Sequence, residues 1–230
     1  MKKDYIYSDQ QSLFGGKGVA IGFGDSNYFI KEIDRKLANK TIIKNHYSHK
    51  IYNATYIHLG VYLDNKFVGV LQYGYAMNPA SQESVVKNTK IDEYLELNRM
   101  WIDDKAGKNS ESKAISYSIK FIKRKYPKIR WVQSFADERC KFFGIVYQAC
   151  SFGFYGEHTS KFYELDGVVY HKSLMERNPM LSKAADYLQA NKDRANSSEF
   201  RQFRYIKFIK NCKKDCVLKE QKYLKYYNGD

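Results

Sequence analysis

Three prolines in 230 residues, four cysteines and no long apolar run are the first features of this chain. With so little proline and no Gly/Ser-rich or Pro-rich stretch, collagen-like, polyproline and flexible-linker architectures are excluded. Four thiols, at positions 140, 150, 212 and 216, are too few to staple a fold of this size. Reduced cysteines in a reducing compartment are expected. The longest apolar stretches, 18–23 and 68–71, fall far short of the roughly 20 residues that cross a bilayer. The start, Met1-Lys2-Lys3-Asp4-Tyr5, has the positive end of a signal peptide but no apolar run behind it, so a cytoplasmic protein is expected. There is no Walker loop, Rossmann fingerprint, HExxH or GxSxG motif.

What is present supports a folded domain with an anionic partner. Apolar residues make up 43% and charged residues 28%, enough core for folding and too little charge for disorder. The net charge is +14, which makes a polyanion the first candidate partner. Residues 177–230 hold 13 basic and 6 acidic side chains, a net of +7, while the much longer 1–176 carries the same net from 26 and 19. No internal repeat occurs. The expected division is a domain over 1–176 and a basic, aromatic-rich C-terminal extension over 177–230.

Local patterns give the elements. Tyr28 to Ile33 reads as a strand, and Asp34 caps a helix from Arg35 to about Asn45. Ile57–Leu63 and Lys66–Tyr75, joined by Asp64-Asn65, form a hairpin whose turn residues tolerate positive φ. Tyr94–Ile102 is a third antiparallel strand, with Leu95, Leu97 and Trp101 on one face and Glu96, Asn98 and Met100 on the other. Ile115, Ile119, Ile122 and Tyr126 recur at helical spacing behind Asn109, a good cap, and Pro127 ends that helix. Ile129–Ala136 is a buried-type strand and Lys141–Phe152 a second helix. Lys161–Leu165 and Val168–Leu174 close a hairpin around Asp166-Gly167. The order predicts an α/β fold, a single mixed and mostly antiparallel sheet with helices on both faces. It resembles the GNAT N-acyltransferase superfamily.

Several side-chain groups carry potential chemistry. Lys105–Ser112 runs into a helix start, where free amides and the helix dipole attract anions. Its Asn109, Ser110 and Ser112 are candidate donor-binding residues, although an ordinary capped helix start reads the same way. His46 and Tyr47, at a helix end, are candidates for proton transfer or metal ligation. Asp137 follows a buried strand, placing a carboxylate at the strand's carboxyl edge. Tyr147, in the following helix, offers a phenol that donates or accepts. Cys212-x-x-x-Cys216 has the spacing of half a zinc site, but Cys140 and Cys150 are separated by nine residues and supply no second half. In the tail, Arg201, Arg204, Lys207, Lys210, Lys213 and Lys214 alternate with aromatics, a pattern suited to phosphate contact and base stacking. A lysine-protected edge strand is the bland alternative.

Taken together, His46-Tyr47-Ser48, Glu96-Leu97-Asn98-Arg99, Asn109-Ser110-Glu111-Ser112, Ser134-Phe135-Ala136-Asp137 and Val146-Tyr147-Gln148-Ala149 resemble the Mom family of phage DNA-modification proteins over about residues 28–210. The resemblance implies a GNAT-type fold, action on double-stranded DNA in the host cytoplasm, and conversion of adenine to N6-carbamoylmethyladenine to evade restriction. By position it implies donor-site roles for Arg99 and Ser112 and catalytic roles for His46, Tyr47, Asp137 and Tyr147, with Asp137 or His46 as base. Iron is associated with the family, with His46, Tyr47 and Tyr147 as candidate ligands. The expected acyl donor is left open between acetyl-coenzyme A and glycyl-tRNA; the second, which would add tRNA as a partner, is a hypothesis drawn from the second nitrogen of the product. Competing readings are an acyl-coenzyme A-dependent N-acetyltransferase acting on protein or small amines, and a non-catalytic nucleic-acid-binding protein.

Overall fold

The computed structural model describes residues 2–8, 18–140 and 143–225. Among the described residues ten strands form one sheet, β1 Asp4–Tyr7, β2 Ala20–Gly24, β3 Tyr28–Glu32, β4 Thr55–Leu63, β5 Lys66–Gly74, β6 Tyr94–Ile102, β7 Trp131–Asp137, β8 Gly153–Leu165, β9 Val168–His171 and β10 Asn196–Phe208. Their spatial order is β1-β2-β3-β4-β5-β6-β7-β10-β8-β9. Every pairing is antiparallel except β6 with β7. The helix α2, Ser110–Lys125, makes that one parallel crossover, because a parallel return needs a long connection. Among the described residues no helix is long and apolar enough to cross a membrane.

Local chemistry explains the well-read parts. Asp34 accepts from the Lys36 amide and caps α1, Arg35–Asn45, as expected. Asp64 and Asn65 (φ 48° and 62°), and Asp166 and Gly167 (φ 50° and 75°), make the two hairpin turns, matching the right-handed strand twist. The main core packs α2 and α3, Ile145–Ala149, against one sheet face. On the other face Ala38 and Ile42 of α1 pack against Val70.

Four expectations differ from the structure. The expected extension over 177–230 does not hang outside the domain in its described part, 177–225: its strand β10 lies inside the sheet between β7 and β8, with Phe203 and Tyr205 fully buried. It is therefore no edge strand. The helix expected over 141–152 shrinks to α3, since Gly144 just before it adopts φ 81° and residues 141–142 lie outside the described residues. Asn109 stands at the start of α2 in left-handed conformation (φ 64°) with no side-chain cap bond; its tolerance of positive φ is what the position uses. The fourth is a bulge in β6, which shapes the site below.

Candidate active site

The site grows from the place where β6 and β7 stop pairing. Their ladder covers Tyr94, Leu95 and Glu96 against Trp131, Val132 and Gln133. Beyond it, Ser134 Oγ lies 3.0 Å from the Leu97 carbonyl oxygen, a side-chain bond replacing the ladder. On the other side of β6, Tyr73 pairs with Leu97 and Gln72 with Arg99, so Asn98 is an extra residue. Such a bulge re-aims every side chain after it. Leu95 and Leu97 stay in the main core, but Met100 joins them while Trp101 crosses to pack against the α1 cluster. The uninterrupted alternation expected from the sequence is thus corrected at Asn98, and Arg99 is carried to the face of Glu96.

Glu96 is a site residue that its sequence context did not single out. Its Oε2 accepts from Gln133 Nε2 at 2.9 Å and its Oε1 from Asn98 Nδ2 at 3.0 Å. Burial pushes its carboxyl up to about 7, with those two bonds and the Arg204 and Arg99 charges only partly opposing the rise. Arg204 donates to Gln133 Oε1 at 3.0 Å and stacks 4.9 Å from the centre of the Phe135 ring. Tyr52 and Tyr94 are pushed up to about 12 by burial and by the nearby Glu96 charge. Arg99 sits 5.7 Å from the Tyr52 ring centre and donates to the Lys50 and Asn98 carbonyls. A carboxylate at a strand position normally faces water; the signal available in the sequence was its place in the Glu96-Leu97-Asn98-Arg99 motif.

Three of the expected catalytic residues assemble on this same face. The Tyr47 hydroxyl donates to Asp137 Oδ2 at 3.2 Å. Asp137 is also gripped by Arg139, whose amide and Nε approach Oδ1 at 3.0 and 2.9 Å. Burial opposes ionisation, but the Arg139 bonds and charge outweigh it and hold the Asp137 carboxyl below its usual range. His46 is buried, 4.4 Å from the Tyr47 ring centre to centre. Burial, with the Arg99 charge, lowers its imidazole to about 4. The Ser48 amide donates to its Nδ1 at 3.1 Å, so the neutral ring carries its proton on Nε2. Near neutrality His46 is therefore a donor and Asp137 a firmly ionised anchor. Neither has the proton affinity of a base matched to that pH; Glu96 does.

Tyr147 stands on the opposite face, in the main core. Its phenol oxygen lies 2.9 Å from Ser134 Oγ. Burial is the first cause that pushes it up to about 12, and the Glu96 charge contributes. The Glu96 charge thus reaches Tyr147 from the opposite face, where β6 and β7 part.

The other expected site residues are not all brought together. Ser110 and Ser112 turn their hydroxyls back to the Ala106 and Asn109 carbonyls, at 2.5 and 3.0 Å. What the start of α2 offers a phosphate is its first-turn amides. Arg99 faces the α1 side, away from α2. Among the tail residues, Arg201 is paired with Glu138 at 2.7 Å, and Lys207 donates to the Cys150 and Ser151 carbonyls at 3.0 and 3.1 Å. Lys213 pairs with Glu220, while Lys210 and Lys214 are exposed. Strand alternation sends Arg201 and Lys207 to one face and Arg204 to the other, so the six do not form one stripe.

Metal chemistry finds no matching donor set. Among the described residues no three His, Cys, Asp or Glu side chains converge on a point that would hold an ion. Tyr147 is on the other face from His46 and Tyr47, so the three expected iron ligands do not share a site. Cys212 and Cys216 donate to the Arg130 and Leu218 carbonyls as free thiols.

The chain is 48% identical over 193 residues to the methylcarbamoylase Mom of Escherichia phage Mu, covering 84% of this chain and 80% of that one. Similar solved structures include a ribosomal-protein-S5-alanine acetyltransferase from Vibrio fischeri (TM-score 0.48, 13% identity, 84% of this chain and 99% of that chain). Another is an N-acetyltransferase from Staphylococcus aureus Mu50 (TM-score 0.47, 15% identity, 80% and 100%). A GNAT-family acetyltransferase from Streptococcus pneumoniae is a third (TM-score 0.46, 12% identity, 79% and 99%). The Mom protein family model matches residues 27–225, a span that includes every catalytic candidate above, and the chain belongs to that family and is an enzyme of the transferase class.

Proposed function

We propose that the chain modifies adenine in phage DNA, converting its N6 amine to N6-carbamoylmethyladenine by acyl transfer to an extruded base. The observation that carries this reading is Glu96: a half-buried carboxyl, held by Gln133 and Asn98 and with its proton affinity near neutrality, at the head of the gap that Tyr147 borders from the other face. The family relationship to a methylcarbamoylase supports this reading.

The chemistry asks for a base, an acid and an aromatic wall. Adenine's exocyclic amine is a weak nucleophile because its lone pair is delocalised, so attack on a carbonyl must be coupled to loss of a proton. Glu96 takes that proton. Tyr147, still protonated at neutral pH, returns one to the leaving group. The base must leave its stack to reach these groups, and Tyr52 and the Arg99 plane beside it line the face that receives it. His46 and the Tyr47–Asp137–Arg139 set fix the rim.

The donor is an activated acyl group. Acetyl transfer from coenzyme A leaves the second nitrogen of the product unaccounted for, whereas a glycyl group supplies it. Glycyl transfer to N6 gives an N6-glycyl adenine; its free amine attacks C6 through a five-membered spiro intermediate, and the C6–N6 bond breaks, so the old N6 leaves as the amide nitrogen. No atom is lost in that rearrangement. Feeding nitrogen-labelled glycine to cells expressing the chain places the label on the nitrogen attached to C6; label found only in the amide, or nowhere, refutes the glycyl route. Mass spectrometry of nucleosides from the same DNA tests the function itself, and an unmodified adenine peak with intact protein removes it.

A further inference from the structure

The bulged residue Asn98 carries a polar atom that the fold leaves unanswered. Its Nδ2 donates to the Tyr75 carbonyl at 3.1 Å and to Glu96 Oε1 at 3.0 Å. The Tyr75 carbonyl is a pure acceptor, and Glu96 is one whenever it is ionised. The carbonyl fixes the amide's orientation, because a flip would set Oδ1 against it. The buried Oδ1 then has no donor among the described residues. An orphaned buried acceptor is disfavoured, and persists where a ligand answers it.

The position of that atom is specific. Asn98 is the inserted residue of the β6 bulge, just past the last β6–β7 pair, at the head of the gap. One planar amide holds the Glu96 carboxylate with its nitrogen end and carries at its oxygen end a buried acceptor that no described donor answers. A carboxylate has room for further donors beyond Gln133 and Asn98. Two acceptors therefore stand side by side, and an exocyclic amine has two N–H bonds to give.

We propose that Asn98 Oδ1 accepts one N–H of the substrate's exocyclic amine while Glu96 faces the other, so that the site selects a base bearing an amine and rejects one bearing a carbonyl there. This rests on the reading of the chain as an adenine-modifying enzyme. Asn98 is a specificity-determining residue: it holds the N–H that stays and leaves Glu96 the one that goes. A carbonyl oxygen at the same place, as in hypoxanthine, meets two acceptors and no donor. Unsubstituted purine makes neither bond but meets no repulsion.

The test uses the full chain and short duplexes in which one adenine, purine or hypoxanthine stands opposite an abasic site, so that unpairing costs the same in each. Dissociation constants are measured by fluorescence anisotropy. The expected order for the wild type is adenine tightest, purine about three- to tenfold weaker and hypoxanthine weakest. Asn98→Ala is expected to bring adenine to within about threefold of purine while melting as the wild type does. Equal binding of adenine and purine by the wild type, or an unchanged preference in a folded N98A protein, overturns the proposal. The wild-type comparison decides the matter even where N98A does not fold. Modified nucleoside formed on ordinary DNA without any base preference sinks this inference and leaves the function standing; absence of product on DNA sinks the function itself.

Discussion

Ser134 Oγ lies 2.9 Å from the Tyr147 phenol and 3.0 Å from the Leu97 carbonyl oxygen. A carbonyl only accepts, so the single serine proton goes to Leu97 and the phenol proton is left to point at Ser134. One hydroxyl thus ties the parted strands and sets the orientation of the proposed acid. Tyr147→Phe removes the transferable proton and keeps the ring, so product should fall by about 10²- to 10⁴-fold with DNA affinity unchanged. Ser134→Ala keeps the acid but frees it, and a smaller loss, about tenfold, is expected. Nucleoside mass spectrometry beside a binding isotherm reads both.

A base must be unprotonated to act. With the Glu96 carboxyl pushed up to about 7, turnover should rise with pH through that value and level off above it. Glu96→Gln should remove the step and lower product by at least about 100-fold. A rate profile whose acid limb falls near 4 instead would point to an ordinary carboxylate and away from Glu96.

Much of the fold was legible because its signals are local. Asp34 caps α1 and Asp64-Asn65 turn a hairpin through contacts within a few residues, and such contacts are written in short windows. The place of β10 is different. It pairs with β7 across about 65 residues of chain, Gln202 against Asp137, and nothing within Phe200–Lys210 distinguishes an interior strand from a basic tail. The site was legible in the same measure. His46, Tyr47 and Asp137 do converge, but Glu96 reads as one more polar position in an alternating strand until its burial is seen. Asn98 reads as ordinary too, because a bulge depends on the neighbouring strand.

Gly144 precedes α3 at φ 81°, and a Cβ there would lie 2.3 Å from the Tyr205 ring. Conformation and space therefore both demand glycine. Gly144→Ala should cost about 3 kcal/mol and lower Tm by about 6–12 °C. It should also displace Tyr147 and depress product formation more than the loss of folded protein explains, which calorimetry and assay of the remaining folded fraction separate.

The basic residues of the C-terminal quarter divide by environment. Lys210 and Lys214 are exposed, while Arg204 is bonded to Gln133 beside Glu96. Replacing Lys210 and Lys214 by Ser should weaken DNA binding and flatten its dependence on salt by about one unit of slope for each phosphate that the protein no longer neutralises. Arg204→Met should leave that slope unchanged and instead alter the pH dependence of turnover, since it takes a positive charge away from Glu96 and raises its carboxyl further. Anisotropy at several salt concentrations distinguishes the two effects.

Glu96 and His46 make opposite demands on stability over nearly the same pH range. Glu96 rises from 4.5 to about 7 on folding, so the folded state holds its proton more tightly. Its contribution is fully present below about 4.5 and is lost as pH climbs to about 7. His46 falls from 6.5 to about 4 because burial favours the neutral ring. Its contribution is present above about 6.5 and is lost as pH drops toward 4. Each shift corresponds to about 3 kcal/mol at most, and the two largely cancel in the wild type. Single variants should expose them: the stability of Glu96→Gln relative to wild type should increase from pH 5 to 7, and that of His46→Gln should decrease over the same interval. Chemical denaturation at pH 5, 6 and 7 measures both differences, and every other titrating group drops out of the comparison. Parallel lines for the three proteins would mean that neither group is perturbed by the fold, and Glu96 would lose its claim to be the base.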